Sequence, residues 1–153
     1  NSVGFKPSAL KFTEAVNMTA SLVEFHKERQ RHEGFDPVSI PDDGLAFEGW
    51  VAENLRKYGW DAHATVGSGD QGLDVVAEKN GLKVGIQCKL YTGTVGNKAV
   101  QEIISAVGYF DLDKAVVITN SSYSKSAKNL AHKHNVLLMH HYEIPNFDDL
   151  LEN

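Results

Sequence analysis

Asn80-Gly81 separates two runs of apolar character, "LDVVAEK" (73–79) and "LKVGIQCKL" (82–90). Asn and Gly tolerate the positive φ angles of the tight two-residue turn whose twist matches that of its flanking strands, so this stretch predicts a β-hairpin. The turn also fixes the register. If Asn80 and Gly81 are the turn residues, Lys79 faces Leu82 and Asp74 lies opposite Gln87. Opposed residues of an antiparallel pair point to one face, and Lys89, two residues beyond Gln87, shares it. Asp74, Gln87 and Lys89 are therefore expected to converge, while Val84, Ile86 and Cys88 project to the other, apolar face.

The hairpin decides the meaning of the glycines before it. Gly67, Gly69 and Gly72 have the G-x-G-x-x-G spacing of a dinucleotide-binding turn. That turn requires a helix to open within it, whereas here a strand and a hairpin follow. The dinucleotide reading fails on context, and the glycines are expected to permit a tight strand-to-strand turn. "WDAHATV" (60–66) alternates as a strand. Phe47, Val51, Leu55 and Tyr58 recur at helical spacing over 45–58, before Gly59. After the hairpin come a helical pattern in "VGNKAVQEIISAVGYF" (95–110), a short buried strand "KAVVIT" (114–119), a helix in "SKSAKNLAHKH" (124–134), a strand "VLLM" (136–139) and a terminal helical turn in "NFDDLLEN". A further helix is expected over 8–33, followed by a linker, "DPVSIPDDG" (36–44). The order predicts an α/β fold with a central mixed sheet of about five strands flanked by helices on both faces.

A chain of 153 residues suits one domain with a small appendage. No apolar run approaches the ~18 residues of a membrane span, and no basic-then-apolar leader is present. The expectation is a cytoplasmic protein without a membrane partner. Asn1 in place of Met suggests a trimmed chain or a fragment of something longer. Cys88 is the sole cysteine, which excludes an internal disulfide. The formal net charge is −5, which argues against bulk coating of nucleic acid, but the charge is uneven. Residues 79–142 hold eight lysines against Glu102, Asp111 and Asp113, a net of +5. Such a half is either a solvated face or a surface for a phosphate backbone.

An Asp carboxylate and a Gln oxygen are hard donors suited to Mg2+ or Mn2+, and a neighbouring lysine can stabilise negative charge in a transition state. The plainer alternative is a cross-strand hydrogen bond with an ion pair on a solvated face. Glu48 falls at the edge of the apolar stripe of its helix and could join the group. Lys98 and Gln101 share a helical side away from Ile103 and Ile104. Lys125 and Lys128 follow the serine-rich "TNSS" loop and could touch backbone phosphates. Seven histidines show no spacing for zinc, and Cys88, on the apolar face, is not expected to be a nucleophile.

The stretch "FEGWVAENLRKYGWDAHATVGSGDQGLDVVAEKNGLKVGIQCKLYTGTVGNKAVQEI" closely resembles the Mrr-like branch of the PD-(D/E)xK nucleases, and the likeness extends more loosely to about residue 140. "GDQGLD", "QCK" and "VGNKAVQE" carry it in combination. The resemblance implies a restriction-endonuclease-like core over 44–153, with 1–43 as an N-terminal extension and linker. It implies a Mg2+-dependent endonuclease, with Mn2+ able to substitute, that cuts double-stranded DNA in restriction or defence. By this resemblance Asp74, Gln87, Lys89 and Glu48 are the catalytic residues, with Asp74, Gln87 and Glu48 on the metal, and Asp70 and Gln101 supporting. Leu73 stands where the motif name has proline. Gln87 is neutral where many relatives carry an acid, a variant frequent in this branch. A homodimer, an upstream recognition domain or an inhibitory partner are the further partners it leaves open. The alternatives are the C-terminal DNase domain of a delivered antibacterial toxin, acting in a target cell's cytoplasm, and a catalytically silent nucleic-acid-binding module with the same fold.

Overall fold

Asn80 and Gly81 take φ angles of 54° and 82°, the positive pair that a tight hairpin turn of this kind requires. From this turn Lys79 pairs with Leu82, and the register runs unbroken to Val75 opposite Ile86. The computed structural model describes residues 34–65 and 72–152. The expected helix over 8–33, Gly67, Gly69 and Asp70 lie outside the described residues.

The elements run α1 (Gly44–Lys57), β1 (Asp61–Ala64), β2 (Val75–Lys79), β3 (Leu82–Lys89), α2 (Asn97–Phe110), β4 (Lys114–Thr119), α3 (Lys125–Lys133) and β5 (Val136–His140). A 3-10 turn (His141–Asn146) then leads into α4 (Phe147–Leu151). The sheet order is β1-β2-β3-β4-β5. The first three strands are antiparallel to their neighbours, and β3, β4 and β5 are parallel. The mixed five-stranded sheet flanked by helices is thus the expected architecture. The strand expected over 60–66 is shorter, because Trp60 leaves the ladder and its indole Nε1 donates to Asp148 Oδ1 at 2.7 Å.

Asp43 caps α1 by accepting from the Ala46 amide at 3.1 Å, and Arg56 and Lys57 occupy its last turn, where the helix dipole favours cations. Its buried residues Phe47, Val51 and Leu55 pack with α4 against Val75, Ala77, Val84, Ile86, Val116 and Ile118. Each such side chain, fully buried, contributes roughly 1.5–3 kcal/mol. The opposite face carries α2 and α3 through Ala99, Val100, Ile103, Ala106, Ala127 and Ala131. Both helices lie on one face because each connects parallel neighbouring strands in the same direction, and such crossovers keep one hand. The chain also packs ahead of α1: Phe35 lies against Trp50, and His141 Nε2 meets the Pro37 carbonyl at 2.8 Å.

Two crossovers bring the loops after β3 and β4 together at the carboxyl end of the sheet. Val95 bridges Tyr123. The Val95 amide donates to the Ser122 carbonyl at 2.8 Å, and the Ser124 amide to the Val95 carbonyl at 2.9 Å. Ser121 Oγ donates to the Gly93 carbonyl at 2.6 Å. No described helix is long and apolar enough to cross a membrane.

Candidate active site

The hairpin pairing changes at Asp74, the residue on which the expected site depends. Strict continuation of the register would set Asp74 against Gln87. Instead its amide donates to the Ile86 carbonyl at 2.9 Å, so the pairing slips by one residue. Packing supplies the reason. Val75 faces the α1 core, and alternation would send Leu73 there too, yet Leu73 is buried in the core under α2. The chain must add a residue to change faces, as at a bulge. The slip leaves the Asp74 side chain to complete the ladder: the Cys88 amide donates to Asp74 Oδ2 at 2.8 Å.

The convergence still occurs at this end of the hairpin, by a different route. Gln87 is buried, at 5% exposure, so its side chain does not lie on a solvated face. Its amide is satisfied when the oxygen accepts from Lys89 Nζ at 3.1 Å and the nitrogen donates to the Gly72 carbonyl. The opposite orientation leaves only a 3.5 Å contact to Glu102, at the limit of a hydrogen bond. We therefore assign the first orientation. Lys89 Nζ also forms an ion pair with Glu102 Oε1 at 2.9 Å.

Charge joins the remaining residues to this group. Burial pushes the Asp74 carboxyl above its ordinary value, against the pull of the Cys88 N–H and Lys89, and Glu102 adds to the rise. Glu48, half-buried on α1, is pushed up to about 7, first by burial and then by the Asp74 carboxylate, with Lys89 opposing. A carboxyl whose proton affinity is raised by burial and by a neighbouring carboxylate is one that a cation would relieve. The two carboxylates and the Gln87 amide oxygen are hard donors of the chemical kind that Mg2+ or Mn2+ takes. Among the described residues no group of three or more His, Cys, Asp or Glu gathers as a metal site. Burial raises the Cys88 thiol well above its ordinary value, which keeps it protonated and inert.

The other described candidates lie on α2 and α3. Gln101 is exposed on α2, and its carbonyl accepts from Ser105 Oγ at 3.2 Å. The α2 side chain that reaches Lys89 is its neighbour, Glu102. Lys98, Lys125 and Lys128 are exposed in the first turns of α2 and α3, at the end where the two loops meet. Glu102 had no assigned role in the sequence reading. Two signals mark it: it is the sole acid between Glu78 and Asp111, and it stands three residues after Ala99 and four before Ala106, both buried. That spacing turns it toward the sheet.

Gly72 explains how α2 comes so close. Its φ is +71°, and a Cβ there would strike the Glu102 carbonyl group. This glycine serves a close approach of two backbones as well as a turn.

Residues 43–147 match the family model Mrr_cat, described as a restriction endonuclease. Among curated proteins none matches the chain. Two solved structures share its fold. One is the protein of unknown function AF1548, with TM-score 0.58 and 23% identity over 72% of this chain and 66% of that one. The other is the DNA modification-dependent restriction endonuclease AspBHI, with TM-score 0.55 and 19% identity over 78% of this chain. The chain spans just under two-thirds of the first and 32% of the second. With the family model covering most of its length, the chain belongs to the Mrr_cat restriction endonuclease family.

Proposed function

We propose that this chain is an endonuclease that hydrolyses DNA phosphodiester bonds with a divalent cation, Mg2+ or in its place Mn2+. The observation that carries the reading is the meeting of Glu48, Asp74 and Lys89 at one end of the hairpin, with the Glu48 carboxyl raised to about 7. In this reading Asp74, Glu48 and the Gln87 oxygen hold the ion. A bound Mg2+ supplies Lewis acidity and neutralises charge on a phosphate oxygen. The Lys89 ammonium would stabilise the negative charge that grows on the phosphoryl oxygens as water adds. The Gln87 and Glu102 partners fix where that ammonium points.

The basic surface supports DNA as the substrate. Lys98, Lys125 and Lys128 are exposed at the site's end of the sheet, and residues 114–142 contain no acid. Cations so placed can hold the backbone on either side of the scissile phosphate, and binding would weaken as salt rises. A role in restriction of foreign DNA belongs to the same proposal, as do a homodimer and recognition by a further domain. Gln87 favours one rival, a module that keeps the fold and binds nucleic acid without cutting it.

Plasmid cleavage separates the two. The nuclease reading expects nicking in Mg2+ that EDTA abolishes and that is lost in Asp74→Ala and Lys89→Ala. A folded wild type inert in both Mg2+ and Mn2+, yet still retaining DNA, would favour the binding module.

A further inference from the structure

We infer that Glu102 is the positioning residue of Lys89, supplying from α2 the negative charge that the neutral Gln87 cannot supply from the hairpin. That Lys89 works on a phosphate rests on the nuclease reading; that Glu102 holds it does not.

The geometry begins with the lysine. Its side chain has four rotatable bonds, and an unheld ammonium would spread over several rotamers. Here Nζ is held from two directions, by Glu102 Oε1 at 2.9 Å and the Gln87 oxygen at 3.1 Å. The lysine side chain retains 16% exposure and the glutamate 31%, so the pair is sheltered without being sealed.

The holders are themselves held. The Gln87 nitrogen donates to the Gly72 carbonyl. Gly72 in turn packs against the backbone of Glu102 so closely that a Cβ would collide with it. Gly72, Gln87, Lys89 and Glu102 thus form a closed circuit, from the turn before β2 through β3 to α2 and back. The depth at which α2 docks sets the position of the ammonium. Such preorganisation is what a transition-state contact needs, since a group displaced by about 1 Å can lose much of its effect.

The neutral residue at 87 gives Glu102 its task. An acid there would neutralise Lys89 along its own strand. The Gln87 amide can orient the ammonium but carries no charge, and the sole acid between Glu78 and Asp111 is the one that bonds it.

The experiment measures the lysine directly, in metal-free buffer and without DNA. The full chain is treated with an N-hydroxysuccinimide ester, and the acylation rate of Lys89 is read by peptide mass spectrometry, with exposed Lys98 and Lys125 as internal references. Glu102→Gln is expected to raise the Lys89 rate severalfold over wild type and leave the references unchanged. Gln87→Glu combined with Glu102→Gln returns the acid to the hairpin and is expected to restore the slow rate. Equal Lys89 rates in wild type and Glu102→Gln would overturn the inference, as would a double variant that labels as fast as Glu102→Gln. Thermal melts of each variant confirm that both are folded, and Glu102→Ala, alone or with Gln87→Glu, serves in place of one that is not. On plasmid DNA, Glu102→Gln is expected to lower kcat about tenfold with KM nearly unchanged, the pattern of a misplaced transition-state group. A wild type that cuts nothing would sink the nuclease reading while the labelling still decides whether Glu102 holds the lysine.

Discussion

Two lysines mark the two ends of the β2–β3 hairpin, and each meets a carboxylate. At the turn end Lys79 Nζ pairs with Asp148 at 2.6 Å, donates to the Tyr58 carbonyl at 3.0 Å and lies 5.6 Å from the centre of the Trp60 ring. The other Asp148 oxygen accepts from the Trp60 indole at 2.7 Å. Every strong group there has a partner of the opposite kind. At the open end Lys89 meets Glu102, but the Asp74 and Glu48 carboxyls are both raised, first by burial, with Asp74 adding to the rise of Glu48 and Glu102 to that of Asp74. The first arrangement is balanced and ties α4 to the sheet. The second holds more negative charge than its lysine can offset, a condition that an incoming cation relieves.

Exchanging the damage between the two ends tests this contrast most severely. Lys89→Ala is expected to lower cleavage by 10²-fold or more with little change in melting temperature, the scale seen when one electrostatic contact to a transition state is removed. Lys79→Ala should do the reverse, with nearly full cleavage and a lower melting temperature. If Lys79→Ala proved as inactive as Lys89→Ala while folded, the contrast would fail.

Gly72→Ala comes next. It forces a Cβ onto the Glu102 backbone at a positive φ, at a cost of about 2–3 kcal/mol in overpacking and left-handed strain. Cleavage should fall beyond what the lost stability explains, because α2 must retreat from Lys89. Chemical denaturation and cleavage measured on the same preparation would tell these effects apart.

Asp148→Ala leaves the Trp60 indole without its acceptor and Lys79 with the Tyr58 carbonyl alone, a loss of about 1–2 kcal/mol for a half-exposed pair with one added hydrogen bond. Its readout is the denaturation midpoint, with turnover unchanged.

The smallest expected effect is that of pH at Glu48. Its carboxyl is raised in the folded chain to about 7, so the folded state keeps a proton that the unfolded state has released. Stability from this group is complete below the ordinary glutamate range and is lost as pH rises through about 7. Glu48→Gln should therefore melt higher than wild type at pH 8, by an amount on the order of 1 kcal/mol after allowance for solvent screening. Mg2+ should narrow that gap by stabilising the wild type more. Cleavage should rise with pH through the same range if a charged Glu48 holds the ion.

These differences also show what could be read in advance. Asn80-Gly81 gave away the hairpin and its register because both residues accept positive φ, which few pairs do. The slip at Asp74 was hidden, since nothing local announces that Leu73 will be needed in the core beneath α2. Gln87 and Lys89 were legible from strand alternation alone. Glu102 carried a spacing that turns it toward the sheet, but its meeting with the lysine depends on how deeply α2 docks, and a glycine distant in sequence sets that depth. The resemblance implied a supporting role for Gln101; the side chain that bonds the lysine is that of its neighbour, Glu102.

The loops after β3 and β4 carry one more consequence. Val95 is bonded to both Ser122 and Ser124, Gly93 to Ser121, and the Tyr91 amide to Asn120 Oδ1 at 2.8 Å. They stand almost 30 residues apart in the sequence, yet an insertion in either would undo the stitching of both. Under mutational drift they would be inherited as a single part, revised together or left alone, while the hairpin beside them keeps its own register. A lineage could exchange that part to suit a new substrate without disturbing the chemistry next to it.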